Sequence, residues 1–363
     1  MATKENFEAK VTELWNRVQS NEESLEERKN ILNESDELMA NPDFLSNPFL
    51  VSKLKLIMHK AGKPTDLAAL ATEFEGFAKL QPSTDVWICL AETYLHQGKA
   101  DAAVSPLEFA QALGENVDVL ILLSLCYRRI EKKDTKKSLD YAKQAVKLDL
   151  KNGKAWGNLG IALLSEAGHE NIVQASKAFK CAINNGQQNN ADVLMNLGTV
   201  YELLLNFMEA MRCYEEAIRI AGKWQVALDS LGRLQTRLSN VISRSEAIPK
   251  IRPAKKAKML ERVKDDDEYL FVEAPFSNDD PSQIILCMNK ATEVFAFGII
   301  KTMRAYIIPE KSVLKLKVPE FSNLEINGKT IKYYIIDDQR KVKITHGATP
   351  ANVSPVSISS TIA

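Results

Sequence analysis

Four polar residues stand out in a chain otherwise short of chemistry: Arg128 in "LSLCYRR", Asn158 in "AWGNLG", and Asp192 and Asn196 in "ADVLMNLG". A guanidinium grips a carboxylate through parallel N–H donors, and a carboxylate receives a guanidinium or an ammonium. An asparagine amide both donates to and accepts from a peptide backbone. One cation, one anion and two amides therefore suit a short extended peptide bearing both charge signs. The same residues admit a plainer reading, in which Asp192 caps a helix and Arg128 is a solvated surface charge.

Little else in the sequence calls for chemistry. His59, His96, His169 and His346 lack ligand spacing, and there is no GxGxxG, P-loop or GxSxG. The five cysteines, Cys89, Cys126, Cys181, Cys213 and Cys287, are widely spaced with no CxxC pair and read as small buried thiols. No enzyme activity, metal or cofactor is expected. Lys plus Arg and Asp plus Glu both number 47, so no overall field draws nucleic acid or an anionic membrane. The start "MATKENFEAK" is charged where a secretory signal is apolar, and no stretch approaches the roughly 18 apolar residues of a membrane span. A cytoplasmic and nuclear protein without membrane attachment is the expectation.

The elements that must position the four residues recur along the chain. Leu194, Leu197, Gly198 and Tyr201 precede Ala210, Tyr214 and Ala217; Trp156, Leu159 and Gly160 precede Ala175, Phe179 and Ala182. Further upstream come Leu120, Leu123, Ser124 and Tyr127 with Ser138, Ala142 and Ala145, and then Trp87, Leu90, Ala91 and Tyr94 with Ala103, Leu107 and Ala110. This is the tetratricopeptide pattern of two antiparallel helices in about 34 residues, small residues allowing close approach and aromatics filling the space between pairs. The first helix of each pair lines an inner groove, and Arg128, Asn158, Asp192 and Asn196 fall on that lining. The 38-residue step from Gly160 to Gly198 is assigned to "SEAGHEN", as a longer inter-helix turn. Gly232 in "ALDSLGRL" continues the register, and residues 47–82 read as a degenerate repeat.

The expected fold class is α + β multidomain, an α-helical tetratricopeptide-repeat superhelix followed by a small all-β OB-like barrel. Residues 1–46 form an N-terminal helical cap, with 1–40 read as one charged amphipathic helix; 47–242 are the repeats and 243–268 a basic linker or capping helix. Residues 269–347 are the β domain, with strands at 283–289, 293–301, 304–309, 312–319, 330–337 and 341–347 and a hairpin at Asn327-Gly328. Residues 348–363, rich in Ser, Thr and Pro, form a disordered tail. The linker's lysines could contact phosphates or serve nuclear import, and Tyr333 and Tyr334 beside lysines could stack bases or simply form a buried face.

The order of parts, together with "FAFGII", "LKVPEFSNLEINGKTIKYYIIDD", "LSLCYRR" and "NNADVLMN", resembles the tetratricopeptide repeat protein 5 (Strap) family over roughly residues 47–347. The resemblance implies a non-enzymatic adaptor in tubulin autoregulation. Its groove arginine and aspartate, matched by Arg128 and Asp192, recognise the Met-Arg-Glu start of nascent tubulin, Asp192 facing the arginine and Arg128 the glutamate. Basic residues matched by Lys255, Lys256 and Lys258 meet the large ribosomal subunit, and an mRNA-decay adaptor follows. The competing expectation is a nuclear scaffold for acetyltransferase-containing coactivators in the stress response, with nucleic acid contacted through the linker or barrel. A co-chaperone clamp needs several groove cations and ranks last, with Lys154 the one evident candidate.

Overall fold

Short polar side chains open the helices by accepting hydrogen bonds from first-turn N–H groups that have no intrahelical partner: Asn47, Asp66, Ser83, Asn116, Asp134 and Asn152 each do so. The computed structural model describes residues 4–19, 25–166, 168–222, 224–274, 282–300, 312–317, 320–336 and 342–346. Its helices are α1 (Lys4–Gln19), α2 (Leu25–Met39), α3 (Pro42–Leu45), α4 (Pro48–Lys60), α5 (Leu67–Leu80), α6 (Thr84–His96), α7 (Ala100–Leu113) and α8 (Val117–Arg129). There follow α9 (Thr135–Leu148), α10 (Gly153–Ser165), α11 (His169–Ala182), α12 (Ala191–Leu203), α13 (Phe207–Ala221), α14 (Gln225–Ala247) and α15 (Pro253–Leu260). The strands are β1 (Glu268–Glu273), β2 (Ser282–Met288), β3 (Val294–Ile300), β4 (Val313–Leu316), β5 (Ser322–Ile326), β6 (Lys329–Ile336) and β7 (Val342–His346). A repeat-type helical region followed by a small β region is therefore the architecture.

The chain separates into two compact units, residues 1–166, 177–194 and 219–222 in the first and 167–176, 195–218 and 223–363 in the second. In the first, the ring of Phe179 lies 2.7 Å from where a Cβ on Gly160 would stand. In the second, Tyr214 lies 2.6 Å from the corresponding point on Gly198. The close approach read from the small residues of the repeat pattern is thus a steric necessity, and the aromatic ring that fills it comes from the same helix pair. Gly232 makes no such approach, since a Cβ there meets nothing within 4 Å. The fifth register step has no second helix: α14 runs on past residue 242 because Leu238, Val241 and Ile242 find apolar partners on the sheet.

Three other expectations are corrected. Residues 1–40 contain two helices rather than one, and Arg17 of α1 holds Glu27 and Glu34 of α2, each at 2.7 Å. The spacing Ser24-x-x-Glu27 is a helix-start signal for the second. The connection between α10 and α11 is only residues 166–168, and most of the added length is helical: Phe179 stands 19 residues after Gly160, against 16 from Gly198 to Tyr214, with the remainder in the widened turn Ile183–Gln187. Strand β1, "EYLFVE", falls partly inside the expected linker, because its neighbours Asp265 to Asp267 carry no strand signal.

The sheet order is β5-β6-β3-β2-β1-β4-β7, with β3 and β6 parallel and every other pair antiparallel. One face, including Ile284, Leu286, Leu324 and Tyr333, packs with Leu234 and Leu238 of α14. The other face curls inward. The Tyr269 ring of β1 lies 5.2 Å from Phe297 two strands away and 5.9 Å from Phe321, which itself meets Tyr334 at 5.7 Å. Adjacent strands alone are spaced about 4.8 Å, so a flat sheet would not bring these rings together. The result is barrel-like, but among the described residues β5 and β7 do not pair to close it. The hairpin at Asn327-Gly328 forms as expected, both residues having positive φ. The strand expected at 304–309 and the tail 348–363 lie outside the described residues.

Substitution tests the two kinds of glycine. Gly198→Ala drives a methyl into Tyr214 and is expected to destabilise by about 1–3 kcal/mol in urea denaturation. Gly232→Ala, at a helical position with open space around it, is expected to stabilise by up to about 1 kcal/mol.

Candidate functional site

Arg128 sits in the last turn of α8 and is half-buried. Its Nη1 donates to Ser124 Oγ at 2.9 Å, Asn158 Oδ1 at 3.0 Å and Ser138 Oγ at 3.3 Å. The two serines are fully buried, 3.1 Å apart, at positions that Gly and Ala occupy in neighbouring repeats. This repeat has therefore replaced two packing residues by hydroxyls that cradle a guanidinium. Among the described residues no carboxylate pairs with Arg128. Burial, reinforced by neighbouring Arg129, pushes its pKa down to about 10. The plainer reading of Arg128 as a solvated charge does not describe this environment.

Asn158, one helix along on α10, is 7% exposed. Its Oδ1 is taken by Arg128, while its Nδ2 is buried without an acceptor. A buried amide donor left unpaired costs about 1–3 kcal/mol, so the pair forms a site short of an oxygen acceptor. The repeat register makes Asn158 and Asn196 equivalents; it gives no sign of the direct link to Arg128.

Asp192 is placed by the widened turn after α11. Asn190, 5% exposed, accepts from the backbone N–H of Asp192 and Val193, so Asn190 and not Asp192 caps α12. The turn lies against the start of α10: a Cβ on Gly153 would run into Asn185 O and stand 2.8 Å from Gln187 Cγ. One turn further, a Cβ on Gly157 would be 3.5 Å from Val193. These contacts set α12's first turn beside the helix that carries Asn158. The Asp192 side chain is open to solvent, yet the surrounding wall raises its pKa by burial. Asn196, half-buried, lies one helical turn beyond Asp192 on α12, in the part of that helix belonging to the second unit.

Other candidates resolve differently. Lys255 and Lys258 are exposed on α15, while Lys256 donates to Pro249 O at 3.0 Å. Tyr333 and Tyr334 are 3% and 5% exposed, so they are core residues and not a stacking platform. His59 and His96, far apart in sequence, come edge to face with ring centroids 5.2 Å apart. All five cysteines are free; four are buried and Cys181 is half-buried. Among the described residues no group of three or more His, Cys, Asp or Glu side chains is gathered for a metal, and no helix is long and apolar enough to cross a membrane.

Neither a family model nor a curated protein matches the chain. Solved structures do. A chain of the APC/C hetero-tetramer Cut9–Hcn1 is similar at a TM-score of 0.50 with 14% identity, over 72% of this chain and 56% of that one. TTC0263, a thermophilic tetratricopeptide protein of Thermus thermophilus, gives a TM-score of 0.44 and 17% identity over 52% of this chain and 98% of its own. YrrB, described as a tetratricopeptide protein with an unusual peptide-binding site, gives 0.37 and 19% over 51% and 91%. The likeness at a TM-score of 0.50 agrees with the stacked helix-pair fold described above.

The raised pKa of Asp192 carries a signed consequence. A carboxyl that is easier to protonate when folded lowers stability above its folded pKa, and that penalty disappears below its unfolded value. Asp192→Asn is therefore expected to stabilise the free protein at neutral pH and to have no such effect near pH 3, as read by urea denaturation at both.

Proposed function

We propose that the repeats form a non-enzymatic peptide-binding adaptor whose inner wall holds an extended N-terminal segment, a glutamate at Arg128 and Asn158 and an arginine at Asp192. The observation that carries this reading is the Arg128–Asn158 pair: among the described residues, a guanidinium without a carboxylate joined to an amide donor without an acceptor. A ligand carboxylate satisfies both groups at once. Asp192 supplies the complementary anion from the first turn of α12.

In its specific form, resting on the resemblance to the Strap family, the ligand is the Met-Arg-Glu start of tubulin as it leaves the ribosome. The exposed Lys255 and Lys258, with Lys256 beside them, form the basic surface toward the large ribosomal subunit. An mRNA-decay adaptor then acts on the tubulin message in the cytoplasm.

An immobilised Met-Arg-Glu peptide should retain the full chain, whereas Arg128→Ala and Asp192→Ala should each weaken binding by about 30-fold or more, corresponding to at least about 2 kcal/mol for an unpaired buried charge. Equal retention of wild type and variants removes the site. Glu at 255, 256 and 258 together should lower ribosome co-sedimentation without altering peptide affinity; unchanged sedimentation across salt rejects the ribosomal assignment.

A further inference from the structure

The helix that carries Asn158 also carries a second cation that nothing above uses. Lys154 lies four residues earlier on α10, on the same helical face, at the repeat position that Asp192 occupies on α12. It is half-buried. No ion pair forms at its ammonium among the described residues. Burial lowers its pKa first, with Asp118 opposing and Lys60 adding to the shift before Glu92 opposes it. Those anions are not bonded to it: Glu92 is taken by Lys60 at 2.6 Å and Gln19 at 2.5 Å, and Asp118 acts only at longer range. The α8–α10 wall thus carries two cations without a carboxylate partner among the described residues, the Lys154 ammonium and the Arg128 guanidinium, with the unpaired Asn158 amide donor buried beside the latter.

We propose that Lys154 is a second acid-recognising subsite, selecting peptides with an acidic residue two positions after the one held by Arg128 and Asn158. The spacing supports this. Four residues of helix advance about 6 Å, and alternate residues of an extended chain, whose side chains share one face, are about 6.6 Å apart. An acid at the fourth position projects to the side of the ligand that turns its arginine toward Asp192, so only the fifth faces α10 together with the held glutamate. The residue two positions before the held glutamate is the ligand's initiating methionine, which leaves the fifth position as the one Lys154 reads. The inference rests on the groove reading under Proposed function and adds a chemical rule to it: acid, any residue, acid.

The test compares three peptides by fluorescence anisotropy with the full chain: Met-Arg-Glu-Ala-Gln, Met-Arg-Glu-Ala-Glu and Met-Arg-Glu-Glu-Gln. The second should bind about tenfold more tightly than the first, as one added charge-assisted hydrogen bond allows, and the third should gain little. Lys154→Gln should erase the advantage while leaving the first peptide's affinity unchanged. Lys154→Glu should reverse the preference toward a peptide with lysine at the fifth position. An advantage that persists in Lys154→Gln, or equal gains from acids at the fourth and fifth positions, overturns the subsite. If the first peptide binds and the added acid does nothing, only this inference falls; if no peptide binds, the groove reading falls with it.

Discussion

The closeness of helices within a pair is the constraint from which the rest follows. Phe179 and Tyr214 occupy the space that any side chain on residues 160 and 198 would need, so glycine there is a condition of the packing. Once such pairs stack, the first helix of each is fixed in rotation, and residues four apart on it share the inner face. Asn158 and Lys154 share a face because they are four residues apart on α10, and the Gly160–Phe179 approach fixes the rotation of that helix.

The site uses variations on this framework. In the α8–α9 pair the small residues are Ser124 and Ser138, still small enough for close packing, yet able to bond Arg128. Between α11 and α12 the chain makes a widened turn braced against Gly153, and Asn190 rather than Asp192 caps α12. Both departures from a regular repeat lie where the polar groups of the wall are built.

The helical half was legible because a close approach needs Gly or Ala at fixed intervals, and that requirement is written into the sequence. Arg128 and Asp192 were legible for the same reason: the register assigns a face to every residue between framework positions. The Arg128–Asn158 link was harder to read. It depends on α8 and α10 lying side by side and on two serines whose role as hydroxyls cannot be separated, in sequence, from their role as small residues. The nearness of His59 to His96 was invisible for a similar reason, since each looks isolated within its own helix. In the β half, alternation marked individual strands but not their order, because the parallel β3–β6 pairing joins segments with no shared local signal.

Among the described residues Arg128 and Lys154 are half-buried without a carboxylate partner and the Asn158 amide donor is buried without an acceptor, which weakens the free protein; a fold selected for stability alone would have placed apolar residues along α8 and α10, as it does at Leu123 and Leu159. The apolar packing around those helices is sufficient to tolerate the deficit. In the proposed function a bound acidic peptide removes that deficit, and part of its affinity would come from supplying the counter-charge that folding left out. By the same arithmetic, a ligand lacking the carboxylate would offer no relief to Arg128 or Asn158.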